Sequence, residues 1–222
     1  MSIAHLPIDS PVRVFIADPH AAVRDGLPAL LRPDAVLTVD VVATADGIED
    51  LVERHQPDAV LAAASLCTLE GESLPGRLAR RGLFAPVVIY APDDGPAHIT
   101  SAVNAGAAGV VGQGRPVAQV ARALRAVAAG GMWFGERDWS HAPLTPDAGE
   151  ALRRSDGLSE GERRVLALVA AGNDTDDIAA SLCVSPHTVR SHVRNLMRKL
   201  DAQSRAHAVA IVMREAALPI SA

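Results

Sequence analysis

The sequence predicts two domains of different class, an α/β domain followed by an all-α domain. Between residues 12 and 130, short runs rich in β-branched residues alternate with segments whose apolar positions recur every three or four residues. This alternation is typical of a parallel sheet with helices on both faces. From residue 158 onward only the helical periodicity remains. A chain of 222 residues is long enough for two such domains.

Five strand-and-helix units make up the α/β segment. The expected strands are 12–17, 36–43, 58–63, 86–90 and 108–111. The expected helices are 21–31, 46–55, 71–82, 96–106 and 116–130. Pro28 interrupts the first helical pattern, because proline removes a backbone hydrogen bond from a helix interior.

The rest of the chain divides into a tail, a linker and a helical domain. Residues 1–11 form the tail, and residues 131–157, rich in Gly, Pro, Ser and Asp, form the linker, with one short helix near 147–154. The aromatic residues of this linker predict that part of it packs on a domain surface. Residues 158–222 form the second domain, with helices at 159–171, 175–182, 186–200 and 204–217, and with Thr175 and Ser185 as expected N-caps.

Composition and charge exclude several classes of protein. The apolar runs are far shorter than the roughly 18 residues of a membrane span, and the N-terminus lacks an export signal, so we expect a cytoplasmic protein without a membrane partner. Cys67 and Cys183 lie too far apart for a CxxC metal motif, and both are interpreted as packing residues. We expect no cofactor and no bound metal. The net charge of −5 argues against nonspecific coating of nucleic acid.

One helix nevertheless carries a local positive stripe. The segment 186–200 contains four cationic side chains and no acid. Its valines and leucines recur at spacings of three and four and define a buried face, while the arginines lie on the opposite face. A second helix of this kind, following a tight turn, is typical of the recognition helix that binds in the DNA major groove. A solvated basic face would give the same pattern, so the helix alone leaves both interpretations open.

The surrounding sequence resembles the DNA-binding domain of LuxR, NarL and FixJ type regulators over about 50 residues. The resemblance lies in LSEGERRVL, the turn at Gly172, DIAASL, SPHTVRSHV and KLDAQSRAHAV. It implies that Arg190, Ser191 and Arg194 face base edges. It also implies phosphate contacts, or support for such contacts, from Thr188, His192, Arg198 and Lys199.

The last helix has two interpretations. The resemblance to LuxR, NarL and FixJ type regulators implies that two DNA-binding domains pair through this helix. Such pairing implies a homodimer and an inverted-repeat site on double-stranded DNA. The residues expected on the pairing face are Ala208, Ile211, Val212 and Ala216. Alternatively, the helix only completes a four-helix core.

The N-terminal pattern resembles the flavodoxin-like (βα)5 receiver domain of two-component response regulators. The resemblance lies in RVFIADPHAAVRDGL, QPDAVLAA, AVNAGAAGVVGQ and PVAQVARALRAVAAGG. The resemblance implies the residues of a working receiver: an acidic pair that holds Mg²⁺, an acceptor aspartate after the third strand, a Ser or Thr after the fourth and a Lys after the fifth. These groups meet at the carboxyl edge of the sheet.

This chain departs from that pattern at nearly every position. Asp18 is followed by Pro19 instead of a second acid, and Ala63 stands at the acceptor position. The hydroxyl position falls at Tyr90 or Ala91, and the lysine position is Gln113. Lys199 is the only lysine in the chain, so no other can replace it. Since alanine cannot form an acyl phosphate, the sequence predicts a receiver that is not phosphorylated by the usual route.

Three hypotheses remain for such a receiver. It could be a constitutive dimer controlled by its abundance, it could bind a small ligand in the altered pocket, or it could bind a partner protein. A different class of function is a module that sequesters a partner, with DNA binding incidental. The chain has no GxGxxG or GxxxxGK[ST] motif, so an enzyme is not expected.

Overall fold

The N-terminal domain is a sheet flanked by helices, as predicted. The computed structural model describes residues 11–83, 85–134, 137–138 and 157–216, with backbone alone at 137–138 and 213–216. The strands are β1 (Val12–Ala17), β2 (Val36–Val42), β3 (Ala59–Ala63), β4 (Thr68–Leu69), β5 (Glu72–Ser73), β6 (Val87–Ala91), β7 (Gly109–Gly112), β8 (Trp133–Phe134) and β9 (Arg137–Asp138). The helices are α1 (Ala21–Leu31), α2 (Ile48–His55), α3 (Leu74–Arg80), α4 (Pro96–Asn104) and α5 (Val117–Ala128).

The main sheet has the strand order β2-β1-β3-β6-β7-β8-β9, and β9 alone runs antiparallel to its neighbour. Strands β1, β3 and β6 lie at its centre, and their alternate residues fill two cores. One core, beneath α2 to α4, contains Phe15, Val60 and Ile89. The other, beneath α1 and α5, contains Ile16 and Leu61. The carboxyl ends of β1, β3, β6 and β7 therefore meet at one edge, where the receiver pocket is expected.

The structure differs from the predicted elements in the linker and at α3. Residues 133–134 and 137–138, assigned to the linker, extend the sheet by two short strands, with Phe134 buried. Helix α3 begins at Leu74 rather than at residue 71, because residues 72–73 pair with β4 in a hairpin. The short helix expected near 147–154 and residue Trp139 lie outside the described residues.

The C-terminal domain consists of helices around one core. They are α6 (Glu160–Ala170), α7 (Thr175–Leu182), α8 (Pro186–Lys199) and α9 (Arg205–Ala216). Leu166, Ile178, Val189 and Leu196 are almost fully buried in this core, so the apolar face predicted for the basic helix is confirmed. Across the described ranges, every helix is too short or too polar to cross a bilayer.

Candidate DNA-binding site and receiver pocket

Helix α8 presents its basic side chains away from the core. Val189 and Val193 are buried, whereas Arg190, Arg194 and Arg198 are exposed. Three arginines therefore lie on one side of the helix, where guanidinium groups could donate paired hydrogen bonds to base edges or bind phosphates. The structure thus brings together the arginines that the sequence singled out.

The smaller predicted contacts, Thr188, Ser191 and His192, are half-buried at the flanks of that face. The Ser185 hydroxyl accepts a hydrogen bond from Thr188 N at 3.0 Å and lies 2.8 Å from the Thr188 hydroxyl. The N-cap predicted at Ser185 is therefore confirmed, and Pro186 follows it in the first helical turn. This cap fixes the start of α8 and hence the direction in which its first arginine points.

Lys199 has a different environment from the three arginines. Its Nζ lies 2.8 Å from Oε2 of Glu162, a residue of α6 that is nearly fully buried. Burial disfavours the charged form of Glu162, but hydrogen bonds from Lys199 and Ser159 outweigh this effect and lower the pKa of its carboxyl. The same carboxylate accepts from Ser159 N and completes the capping box of α6. Lys199 therefore joins α8 to α6, and its predicted role in contacting or supporting phosphate stays a prediction.

Helix α7 begins with a different cap from the one predicted. Asp174 is the N-cap, and its Oδ1 accepts hydrogen bonds from Asp176 N and Asp177 N at 2.9 Å. Thr175 is the first residue of the helix, and its buried hydroxyl accepts a hydrogen bond from Arg205. The two neighbouring residues both favour caps, and only the backbone geometry distinguishes them.

Helix α9 has most of its predicted pairing face inside its own domain. Ala208 and Val212 are buried in the core of the C-terminal domain, and Ile211 packs against that core. These residues are consequently unavailable to a second copy in this arrangement, which corrects their assignment to a dimer surface. The side chain of Ala216 lies outside the described residues.

The two domains contact each other through α9 and the segment before it. Ser204 Oγ donates to Ala107 O at 3.2 Å, and Ser73 Oγ donates to Gln203 Oε1 at 3.0 Å. Ala206 packs in the core beneath α2 to α4. Gly106, at φ +81°, has no space for a side chain, because a Cβ atom there would lie 2.6 Å from Gln203.

Arg205 forms a second connection between the domains. Its guanidinium donates to the carbonyl of Gly130 and, at 2.9 Å, to the hydroxyl of Thr175. Burial lowers the pKa of Arg205 to about 10; the carboxylate of Asp174 opposes this shift and the positive charge of Arg190 adds to it. Nothing in the helical pattern of the sequence distinguishes Arg205 from a solvated arginine, so this role was not predicted.

The basic helix faces the N-terminal domain across a cavity of about 400 Å³. Arg190 and Arg194 line one wall, and the residues that precede β3, β6 and β7 line the other. This wall is the amino edge of the sheet, opposite the receiver pocket. In this arrangement the N-terminal domain lies opposite Arg190 and Arg194 of α8.

The expected receiver pocket contains one buried carboxylate. Asp18 is almost fully buried, and its Oδ1 lies 2.8 Å from His20 N and 2.9 Å from His20 Nδ1. Its Oδ2 is buried without a hydrogen-bond partner among the described residues. Pro19, which replaces the second acid, is exposed and offers only its carbonyl, which accepts a hydrogen bond from Arg24.

Ala63 and Tyr90 are aligned on neighbouring strands at the same edge. Ala63 is buried, and the Tyr90 side chain lies in the core beneath α1 and α5, so its phenol occupies space beside the acceptor position. Burial, together with the negative charge of Asp18, raises the pKa of Tyr90. Its hydroxyl donates a long hydrogen bond of 3.5 Å to Gln113 O. Ala91, in contrast, belongs to the core on the other face of the sheet.

The pocket residues do not fit the Mg²⁺ ion of a working receiver. Mg²⁺ prefers octahedral oxygen ligands with one or two carboxylates. Asp18 already contacts His20 through one oxygen, and Ala63 adds no ligand. The Gln113 side chain is exposed and carries no charge. Within the described ranges, no three His, Cys, Asp or Glu side chains cluster as a metal site would require.

A salt bridge joins the two loops that flank the pocket. Asp94, after β6, receives two hydrogen bonds of 2.9 Å from the guanidinium of Arg115, after β7. Such bidentate pairs are among the stronger and more directional ionic contacts. In a working receiver these loops carry the hydroxyl and lysine positions, so here a direct side-chain contact connects them. No local sequence pattern predicts this pair, because its members are 21 residues apart.

Comparisons with known proteins show which family the chain belongs to. Residues 156–212 match the family model for bacterial regulatory proteins of the luxR family. The nitrate/nitrite response regulator protein NarP of Escherichia coli is 30% identical over 212 residues, covering 95% of this chain and 98% of that protein. A probable transcriptional regulatory protein NarL of Mycobacterium tuberculosis is 30% identical over 221 residues, covering 94% and 97%.

A solved structure is also similar. The LuxR-family two-component response regulator from an Aurantimonas species is 26% identical, with a TM-score of 0.50 over 57% of this chain and 91% of that one. These relatives are transcription regulators and not enzymes. The chain therefore belongs to the NarL/NarP-like response regulators, the DNA-binding transcription regulators with a LuxR-type helix-turn-helix domain.

Proposed function

We propose that this chain regulates transcription in the cytoplasm as a sequence-specific DNA-binding protein whose receiver is independent of phosphorylation. The observation that carries the proposal is the pair Ala63 and Tyr90 at the carboxyl edge of the sheet. Alanine offers no carboxylate for an acyl phosphate, and the phenol takes up space beside it. The Asp94–Arg115 salt bridge supports the proposal, because it connects the flanking loops without a phosphoryl group.

For DNA, we propose that Arg190, Ser191 and Arg194 contact base edges in the major groove. Thr188, His192 and Arg198 contact or support the phosphates beside them. The exposure of the three arginines and the capped start of α8 support these roles. The bound form is a homodimer on an inverted repeat, and pairing requires that α9 leave its contacts with the receiver.

For control, we propose that the receiver acts as a lid over α8. The position of Arg190 and Arg194 at the interdomain cavity supports a lid rather than a constitutive dimer. Because the phosphoacceptor is absent, a ligand or a partner protein opens or closes the lid. The abundance-controlled dimer would leave α8 accessible at all times.

Intact-mass measurement tests the receiver part. The full chain is incubated with a small phosphodonor and Mg²⁺, beside a working receiver as positive control. We expect no 80 Da adduct on this chain and a near-complete adduct on the control. A stoichiometric adduct on this chain would overturn the phosphorylation independence.

Selection of genomic fragments tests the DNA part. The full chain and the segment 150–222 are compared at one salt concentration, because phosphate contacts make affinity depend on salt. We expect both to enrich the same inverted repeat, with tighter binding by the segment. Tighter binding by the full chain would instead indicate a constitutive dimer, and the absence of a shared repeat would favour the partner-sequestering module.

A further inference from the structure

The segment that leads into α9 inserts one side chain into the receiver. Gln203 is half-buried, and its side chain contacts both α3 and the turn after α4. Ser73, the N-cap of α3, donates a hydrogen bond to Gln203 Oε1 at 3.0 Å. The same hydroxyl accepts a hydrogen bond from Gly76 N at 3.2 Å, which leaves its own proton for Gln203. The receiver therefore offers Gln203 an oriented hydrogen-bond donor.

Two glycines provide the space for this side chain. A Cβ atom at Gly106 would lie 2.6 Å from both Cβ and Oε1 of Gln203. A Cβ atom at Gly76 would lie 3.0 Å from Nε2 of the same residue. Any larger residue at Gly106 would displace Gln203, because its Cβ atom cannot move without the backbone. We call Ser73, Gly76 and Gly106 the glutamine socket.

Contacts within the C-terminal domain hold the backbone of Gln203 in place. Gln203 N donates to His207 Nδ1 at 3.2 Å, and His207 N donates to Ser204 Oγ at 3.1 Å. The neighbouring residues also contact the receiver, since Ser204 donates to Ala107 O and Ala206 packs in the core beneath α2 to α4. Gln203 thus enters the socket from a segment that is already ordered, which reduces the entropy lost when the domains close.

We propose that Gln203 and the glutamine socket form a latch that holds the receiver lid closed over α8. The chain itself makes every contact of this latch, so the closed form needs no bound effector, and the signal acts by opening it. The apparent affinity for a ligand falls in proportion to the fraction of protein in the binding-competent form. The strength of the latch therefore sets the DNA affinity of the free chain. Only this consequence for DNA rests on the lid of the proposed function.

Gln203→Ala tests the latch by removing the side chain that fills the socket. The full-length variant should have a larger radius of gyration in small-angle X-ray scattering than the wild type. It should also bind the DNA site about tenfold more tightly, because a hydrogen bond and its packing are lost from the closed form alone. Ser73→Ala removes the same hydrogen bond from the receiver side, so the double variant should gain little beyond Gln203→Ala.

Gly106→Ala blocks the socket and leaves the DNA-binding domain unchanged. It should open the chain at least as far as Gln203→Ala does. Gly82→Ala is the matched control, because Gly82 has a similar positive φ, +74° against +81°, with open space at its Cβ position. It imposes similar backbone strain away from the C-terminal domain, and should leave scattering and DNA affinity unchanged. If Gly106→Ala does not fold, Gln203→Ala and Ser73→Ala still test the latch.

The two readouts distinguish a wrong latch from a wrong lid. Unchanged scattering in Gln203→Ala and Ser73→Ala would overturn the latch. An effect of Gly82→Ala equal to that of Gly106→Ala would also overturn it, since strain alone would then open the chain. Tighter DNA binding without expansion would assign the effect to α8 and overturn it as well. Expansion without a change in DNA affinity would contradict the lid of the proposed function and remove the regulatory role of the latch.

Discussion

Two regions of this molecule, the basic face of α8 and the receiver pocket, differ in how many charged side chains they contain. The basic face of α8 keeps three exposed arginines, whereas the receiver pocket keeps one carboxylate of its usual ionic set. Exposed charges cost little free energy, because water solvates them. Buried charges without partners are expensive. A pocket without its usual ionic partners can therefore retain exposed charged side chains, but its buried positions must hold apolar or paired side chains.

The receiver pocket illustrates this replacement. Tyr90 supplies apolar area beside Ala63, and Asp94 pairs with Arg115 at the rim. The remaining acid, Asp18, retains hydrogen bonds from His20. Apolar packing and paired charges thus occupy the edge of the sheet where the receiver pocket is expected. Returning a charge to this pocket should therefore have the largest effect on stability.

Ala63→Asp should be the most costly change. The new carboxylate would be buried beside Asp18 and Tyr90 without a cation, at a cost of about 3 kcal/mol in the free energy of unfolding near pH 8. Burial and the like charge raise the folded-state pKa of the new carboxyl above its unfolded value of about 3.9. The cost is therefore absent below the unfolded pKa and grows as pH rises through the folded pKa. Urea unfolding at pH 4.5 and pH 8 measures this difference.

Ala63→Asn is the matched control, since it has nearly the same volume but no charge. Its cost should be smaller and should not change between the two pH values. An equal pH dependence in both variants would show that repacking, and not charge, governs the pocket.

Arg190→Ala and Arg194→Ala should each weaken binding to the specific DNA site by about 1 to 3 kcal/mol, or roughly 5- to 150-fold. The loss should be much smaller on random DNA, because a base contact is removed. Arg198→Ala should weaken both kinds of DNA alike and reduce the salt slope by about 1. Fluorescence anisotropy over a range of salt concentrations measures both effects. Equal losses on specific and random DNA for Arg190→Ala would assign it to phosphate instead.

Periodicity predicts the large elements of this fold well. The alternation at 58–63 and 86–90 predicts central strands, and the spacing of valines in 186–200 predicts the buried face of α8. The two-residue strands β4, β5, β8 and β9 show no period, since two residues cannot establish one. Their formation depends on tertiary pairing.

The partners of individual side chains are harder to predict. A stripe of apolar residues on α9 identifies a face but not what covers it, and Ala208 and Val212 are covered by their own domain. Likewise, Lys199 and Arg205 look like solvated cations in sequence, whereas the structure pairs them with Glu162 and Gly130. Such contacts join residues far apart in the chain, so local pattern does not indicate them.

Glu162→Gln should lower the free energy of unfolding at pH 7 by about 1 to 2 kcal/mol, because it removes a charge-assisted hydrogen bond to Lys199. The folded-state pKa of Glu162 lies below its ordinary value of 4.5. The stabilisation is therefore present above pH 4.5 and is lost as pH falls through the folded pKa. Urea unfolding of wild type and variant from pH 7 to pH 3 should converge at the acid end.

Lys199→Ala separates the structural role from a phosphate contact. It should destabilise the domain about as much as Glu162→Gln, and the double variant should cost less than the sum of the two. Its DNA affinity should retain the wild-type salt slope. A slope reduced by about 1 would restore Lys199 to the phosphate contacts.

The smallest effect concerns the ionisation of Tyr90, which is the only tyrosine of the chain. Absorbance near 295 nm therefore reports the titration of this one phenol. Burial and the charge of Asp18 raise its pKa, so the folded protein should titrate above the ordinary value of 10.0. Asp18→Asn removes the charge but not the burial, and should move the midpoint part of the way back. Arg115→Gln, at the rim, serves as the control for loosening of the pocket. If the Tyr90 phenol of the wild type titrated at its ordinary pKa of 10.0, solvent would reach it. The pocket beside Ala63 would then be open to solvent, which would contradict the proposal that Tyr90 fills it.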